Sequence, residues 1–153
     1  MYSRPVKTVL QLQLVAFALT VSPAIHLGVL ILLRSTGALP TDGFLPMKDA
    51  MGTFFLVVLG VGALYSAWYT LRLRKGLEIV FLAKSNTFTN RMRVIIITLV
   101  ACEMPSITGL LIGLLSGDLI IASVAIAVSV AACIYHFPTR AWIEQAEDMA
   151  PGP

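Results

Sequence analysis

Glu103 is the residue whose placement could do the most chemistry. It lies ten residues after Arg93 and fourteen before Gly117, in a run otherwise free of charge. A carboxyl midway along an apolar helix is costly; such groups face a bundle interior or a water-filled cavity and mark ion or proton routes. The four apolar runs of the chain contain no Lys or Arg, so no salt bridge is available to it there. The expected state is a neutral carboxyl, hydrogen-bonded to a backbone carbonyl or a hydroxyl. Pro105 supplies a free carbonyl, because it has no N–H to offer Ala101. Ser106 and Thr108 are the nearby hydroxyls, and the three residues Glu103, Ser106 and Thr108 form the candidate proton-binding set. The alternative is that Glu103 only satisfies a kinked helix and holds it to a neighbour. Both readings stand on the sequence.

Two histidines raise the question of haem. His26 lies toward the outer side of the first apolar run and His136 at the inner end of the last. At 1.5 Å per helical residue they are roughly 20 Å apart along the axis, too far to share one iron within a chain. His26 alone remains a possible ligand, completed by another subunit. The other reading is a histidine hydrogen-bonded across the bundle near Ser22 or Thr36. No cofactor is otherwise expected, and no metal cluster. Cys102 and Cys133 lie in apolar runs and read as small buried residues. No phosphate loop or nucleophile–base pair is present, so no enzyme activity is expected.

The elements that position these residues follow from hydropathy. The 153 residues are 58% hydrophobic and only 12% charged, with mean hydropathy +0.87. That is about half the charge of a soluble domain, too little for a polar shell. Four apolar runs, 8–33, 51–71, 94–117 and 119–137, each reach the ~20 residues that cross a bilayer. None alternates like a barrel strand. The fold expected is an all-α membrane protein, a bundle of four transmembrane helices with a short tail over 138–153. Nine basic residues fall on one face (Arg4, Lys7, Arg72, Arg74, Lys75, Lys84, Arg91, Arg93, Arg140) and two on the other (Arg34, Lys48). Positive residues favour the cytoplasmic side, which places both termini in the cytoplasm of a cell inner or plasma membrane. Tyr65, Trp68, Tyr69, Tyr135 and Trp142 then sit at interfacial height. The net charge of +3 is absorbed by this topology and implies no nucleic-acid partner.

The segment 72–93 has apolar residues flanked by basic ones, either a helix extension or a short interfacial piece. The segment 34–50 is rich in Gly and Pro. The first run exceeds the length of a signal-peptide core, so it is expected to be retained. Pro23-Ala24-Ile25 and Pro105-Ser106-Ile107 hint at an internal repeat, in which Val21 holds the place of Glu103. Pro23 and Pro105 are the expected helix kinks. Gly60, Ala63 and Ala67 on the second helix, with Ala125 and Ser129 on the fourth, are small residues suited to close packing, within the chain, in a homo-oligomer or against another subunit.

The run Glu103-Met104-Pro105-Ser106-Ile107-Thr108-Gly109-Leu110 resembles the ion-binding segment of the proteolipid c subunit of rotary ATP synthases. That segment has a mid-membrane acid, a Gly-Leu pair six residues later, and a basic cytoplasmic loop before it. The resemblance is confined to the surroundings of Glu103. It implies a proton-carrying carboxylate there, with Met104 where sodium-binding versions carry a hydroxyl. Three functions are open: a non-catalytic accessory or scaffold subunit of a larger membrane complex, a proton-binding or proton-coupled transport protein, and a haem- or quinone-associated redox subunit.

Overall fold

Pro105 sets the main irregularity of the fold. Its ring removes one backbone donor and crowds the preceding turn, and the helix that carries it breaks two residues earlier, at Glu103. A computed structural model describes residues 4–44 and 50–146. Among these the chain forms α1 (Arg4–Ser35), α2 (Ala50–Leu77), a π-helical turn (Glu78–Leu82), α3 (Phe88–Cys102), α4 (Met104–Ser116), α5 (Leu119–His136) and the short α6 (Arg140–Glu144). No strand occurs among the described residues. Four stretches are long and apolar enough to cross a membrane: Val9–Ser35, Gly52–Leu82, Phe88–Ser116 and Leu119–His136.

The helices extend beyond the apolar runs. The segment 72–93 begins as the helix extension that was one of its two readings, and the second helix does not stop at its first arginine. It runs on to Leu77 and then through the π turn, because Arg74 pairs with Glu78 at 3.2 Å and Leu73, Leu77, Phe81 and Leu82 are half-buried. The third begins at Phe88, six residues before its apolar run, where the Thr87 hydroxyl accepts from the Asn90 amide. The connection between them shrinks to residues 83–87. The tail also folds: Thr139 caps α6 by accepting from the Trp142 amide at 3.2 Å. Pro23, by contrast, lies inside an unbroken α1. Pro46, Lys48, Asp49 and residues 147–153 lie outside the described residues.

α4 and α5 form the central hairpin, with α1 and α2 on its flanks. Asp118 starts α5 by accepting from the Ile120 and Ile121 amides, each at 3.0 Å, and Gly117 turns the chain in the left-handed region at φ 69°. Gly109 and Gly113 let α5 approach closely: a methyl added at Gly109 would lie 2.8 Å from the Ala122 carbonyl oxygen and 3.1 Å from the Ala125 Cβ. The segment before residue 45 is drawn onto this turn, with the Phe44 amide donating to Leu114 O at 2.9 Å.

Of the small residues singled out from the sequence, Ala63, Ala125 and Ser129 are buried and Ala67 is half-buried. Gly60 is not at a close contact within the chain; a methyl there meets nothing within 4 Å. It is half-buried, on the flank of α2 where Val57, Val61 and Leu64 are exposed.

Two apolar clusters fill the interior. One gathers Val9, Leu12, Ala16, Ile95, Leu99, Cys102, Cys133 and Ile143. The other gathers Leu30, Leu39, Ala122 and Ile126. Along α1, α3–α4 and α5 the residues between the clusters include His26, Ser106 and Ser129, so a polar layer separates them. The end nearer α6 is closed by Trp142, whose ring lies under two guanidiniums, Arg91 at 4.7 Å and Arg74 at 5.3 Å. Arg91 also donates to Asn86 Oδ1 at 2.7 Å and to the Trp142 carbonyl, and Asn86 donates to Gln145 O at 3.0 Å.

Candidate functional site

The site is the joint between α3 and α4, residues 102–106. Backbone groups at a helix joint need partners, and here they come from the helix itself and from α5. The Glu103 amide donates to Leu99 O and Val100 O, both at 3.2 Å, and Ile107 N returns to Glu103 O at 3.0 Å. From α5, the buried Ser129 hydroxyl donates to Cys102 O at 2.6 Å. From α1, His26 Nδ1 lies 2.6 Å from the Ser106 hydroxyl. Cys102 and Cys133 pack in the same buried cluster beside the joint. α1 and α5 thus each place a polar side chain against this joint.

Glu103 itself stands apart from that pattern. Its Oε1 is buried and has no hydrogen-bond partner. The two hydroxyls expected to serve it are engaged elsewhere: Ser106 with His26, and Thr108 with the Met104 carbonyl at 2.9 Å. The structure brings Ser106 to the joint but not as a ligand of the carboxyl, and Thr108 bonds its own helix. An unsatisfied buried oxygen costs about 1–3 kcal/mol. A group of this cost that holds nothing together is a candidate for chemistry.

His26 bonds across the bundle, and the partner is Ser106 rather than a residue near Ser22 or Thr36. Thr36 donates to Leu32 O at 2.9 Å, and the ring of His26 reaches across to Ser106 instead. Membrane-type pairs of this kind are worth about 0.6 kcal/mol on average and up to about 1.7. A double-mutant cycle with His26→Leu and Ser106→Ala, measured by unfolding in detergent, should give a coupling in that range. A coupling of zero would mean that the pair does not form.

His136, the last residue of α5, is 2% exposed. Neither ring nitrogen has a hydrogen-bond partner, and the ring meets Tyr135 edge-on at 5.0 Å. The two histidines therefore have separate surroundings. Among the described residues no group of three or more His, Cys, Asp or Glu side chains is arranged to hold a metal ion.

Sequence reasoning misses Ser129 as a donor to the joint. The only signal for it is polarity within an apolar run, and by size alone it reads as a packing residue. Set against known proteins, the chain matches no family model, no curated protein and no solved structure.

Proposed function

We propose that this chain is an integral membrane protein of four spanning helices, with both termini cytoplasmic, in which Glu103 takes up and releases a proton within the bilayer. The observation that carries the reading is the buried, unpartnered Oε1 at a helix break. If Glu103 were internal glue, its carboxyl would bridge two helices. The bridging bonds at this level are made by His26 with Ser106 and by Ser129 with Cys102, which leaves the acid without a structural task. The orientation rests on the distribution of basic residues. The resemblance of this segment to rotor proteolipids points the same way and extends to the use of the acid.

Dicyclohexylcarbodiimide, an apolar reagent for protonated carboxyls, should label Glu103 at neutral pH in native membranes. Glu103→Gln should abolish the labelling and any proton-linked transport. Transport that survives Glu103→Gln would end the proton reading.

A second reading, a non-catalytic subunit of a larger membrane complex, is favoured by the bare face of α2. Val61 and Leu64 are 60% exposed, and Gly60 and Gly62 leave open space in which another helix backbone can approach. Ala125 and Ser129 belong to the chain's own interior, so of the small residues it is these glycines of α2 that are open to a partner. Gly60→Leu should then weaken co-purification with any partner. Unchanged co-purification would leave α2 facing lipid only.

A further inference from the structure

An open cleft of about 370 Å³ runs between α2 and the α3–α4 helix, lined by Tyr65 and Tyr69 on one wall and by Ile97, Val100, Ala101 and Met104 on the other. Its lining is almost wholly apolar, and its volume is comparable to most of one fatty-acyl chain. The walls change character at one end. On α3, Arg93 is one helical turn beyond Ile97 on the same face. On α2, Arg72 is one turn beyond Tyr69, with its guanidinium 4.9 Å from the Trp68 ring. Both arginines are exposed, and neither joins an ion pair among the described residues.

The height of that end is fixed by α5. Its 18 residues rise about 27 Å, close to the thickness of the hydrocarbon core. Arg74 donates to the carbonyl of His136 at the end of α5. Arg72 therefore stands near the boundary of the apolar layer. Trp68 and Tyr69 lie about one turn below it, as amphipathic rings do at headgroup level, and the Tyr69 ring stacks at 6.3 Å on that of Tyr65, one turn deeper in the cleft. Basic pockets between helices on the cytoplasmic side suit acidic lipid headgroups.

We propose that this cleft is a binding site for a phospholipid of net negative charge. One acyl chain lies along Tyr65, Val100 and Ala101, and the phosphate is held by Arg72 and Arg93. The proposal rests on the membrane reading and is independent of any role of Glu103, so its failure leaves the proton reading untouched and the reverse also holds.

The test is retention of lipid by the purified full-length chain, read by native mass spectrometry in detergent with added phosphatidylglycerol or phosphatidylcholine. Phosphatidylglycerol should be retained about thirtyfold more tightly than phosphatidylcholine, and Arg72→Gln with Arg93→Gln should remove that preference. Val100→Trp, at a position 43% exposed, should fill the cleft and expel the lipid without changing the melting temperature. Arg140→Gln, in the exposed pair with Glu144, should change nothing. Equal retention of the two lipids would overturn the proposal. So would a double variant that keeps the preference, or a Val100→Trp variant that keeps the lipid. An Arg140→Gln variant as impaired as the double variant would show diffuse charge attraction, and full competition by glycerol phosphate would show a phosphate site with no acyl slot. Either result also overturns it.

Discussion

Replacing Gly109 with leucine should destroy the bundle, while the same change at Gly60 should leave it folded. At Gly109 even a first methyl would lie 2.8 Å from a backbone oxygen, that of Ala122, with Ala125 and Ile126 atoms at 3.1 Å. Backbone cannot swing aside as a side chain can, so α4 and α5 must separate. Overpacking typically costs 1–3 kcal/mol, and a leucine driven against a carbonyl should reach about 3 kcal/mol or more. Gly113 is the instructive intermediate. A methyl there meets the ends of Leu30 at 2.7 and 2.9 Å, which a rotamer change can relieve, so Gly113→Ala should cost less than Gly109→Ala. At Gly60 nothing lies within 4 Å, and the shift should stay within about 0.5 kcal/mol. Unfolding in detergent, followed by circular dichroism, ranks all of these. A Gly109→Leu chain that melts like its parent would show that α4 and α5 do not approach as described.

Removing the carboxyl of Glu103 should stabilise the protein. Glu103→Met keeps an unbranched side chain and deletes an oxygen that is buried without a partner. Relief of that desolvation is worth about 1–3 kcal/mol, and functional positions commonly trade stability for activity in this way. The same variant should lose carbodiimide labelling. The sign of the stability change is the informative part. Internal glue predicts that Glu103→Met destabilises, by the value of the lost bridging bond. A carboxyl kept for proton exchange predicts the opposite. A destabilised Glu103→Met chain would therefore return Glu103 to a structural role.

The four long apolar helices were legible in hydropathy because an apolar run of 18 or more residues with at most one charge has few other uses. The ends of those helices were not. Arg74 and Arg91 look like loop residues in a charge count. In the structure they serve as helix residues, because each finds a partner just past the apolar layer: Glu78 for one, Asn86 and the Trp142 carbonyl for the other. The two prolines show the same limit. Pro105 accompanies a break and Pro23 does not, although both remove a backbone donor. The outcome depends on neighbours, and no local sequence property distinguishes the two. Glu103 was found because a lone acid in an apolar run is conspicuous. His26 was found too, but its partner Ser106 was not, since eighty residues separate them and helix rotation decides which faces meet.

Ile143 packs in the same buried cluster as Val9 and Leu12, so the N-terminal part of α1 is completed by a residue of α6. A ribosome needs on the order of ten seconds to make the chain between them. Throughout that interval α1 has an unfinished apolar seam. The bundle can therefore close only once α6 has been made, with Trp142 arriving against its two guanidiniums as the latch. A stalled or shortened product would carry all four long helices and still expose that seam to the proteases that survey unassembled membrane proteins.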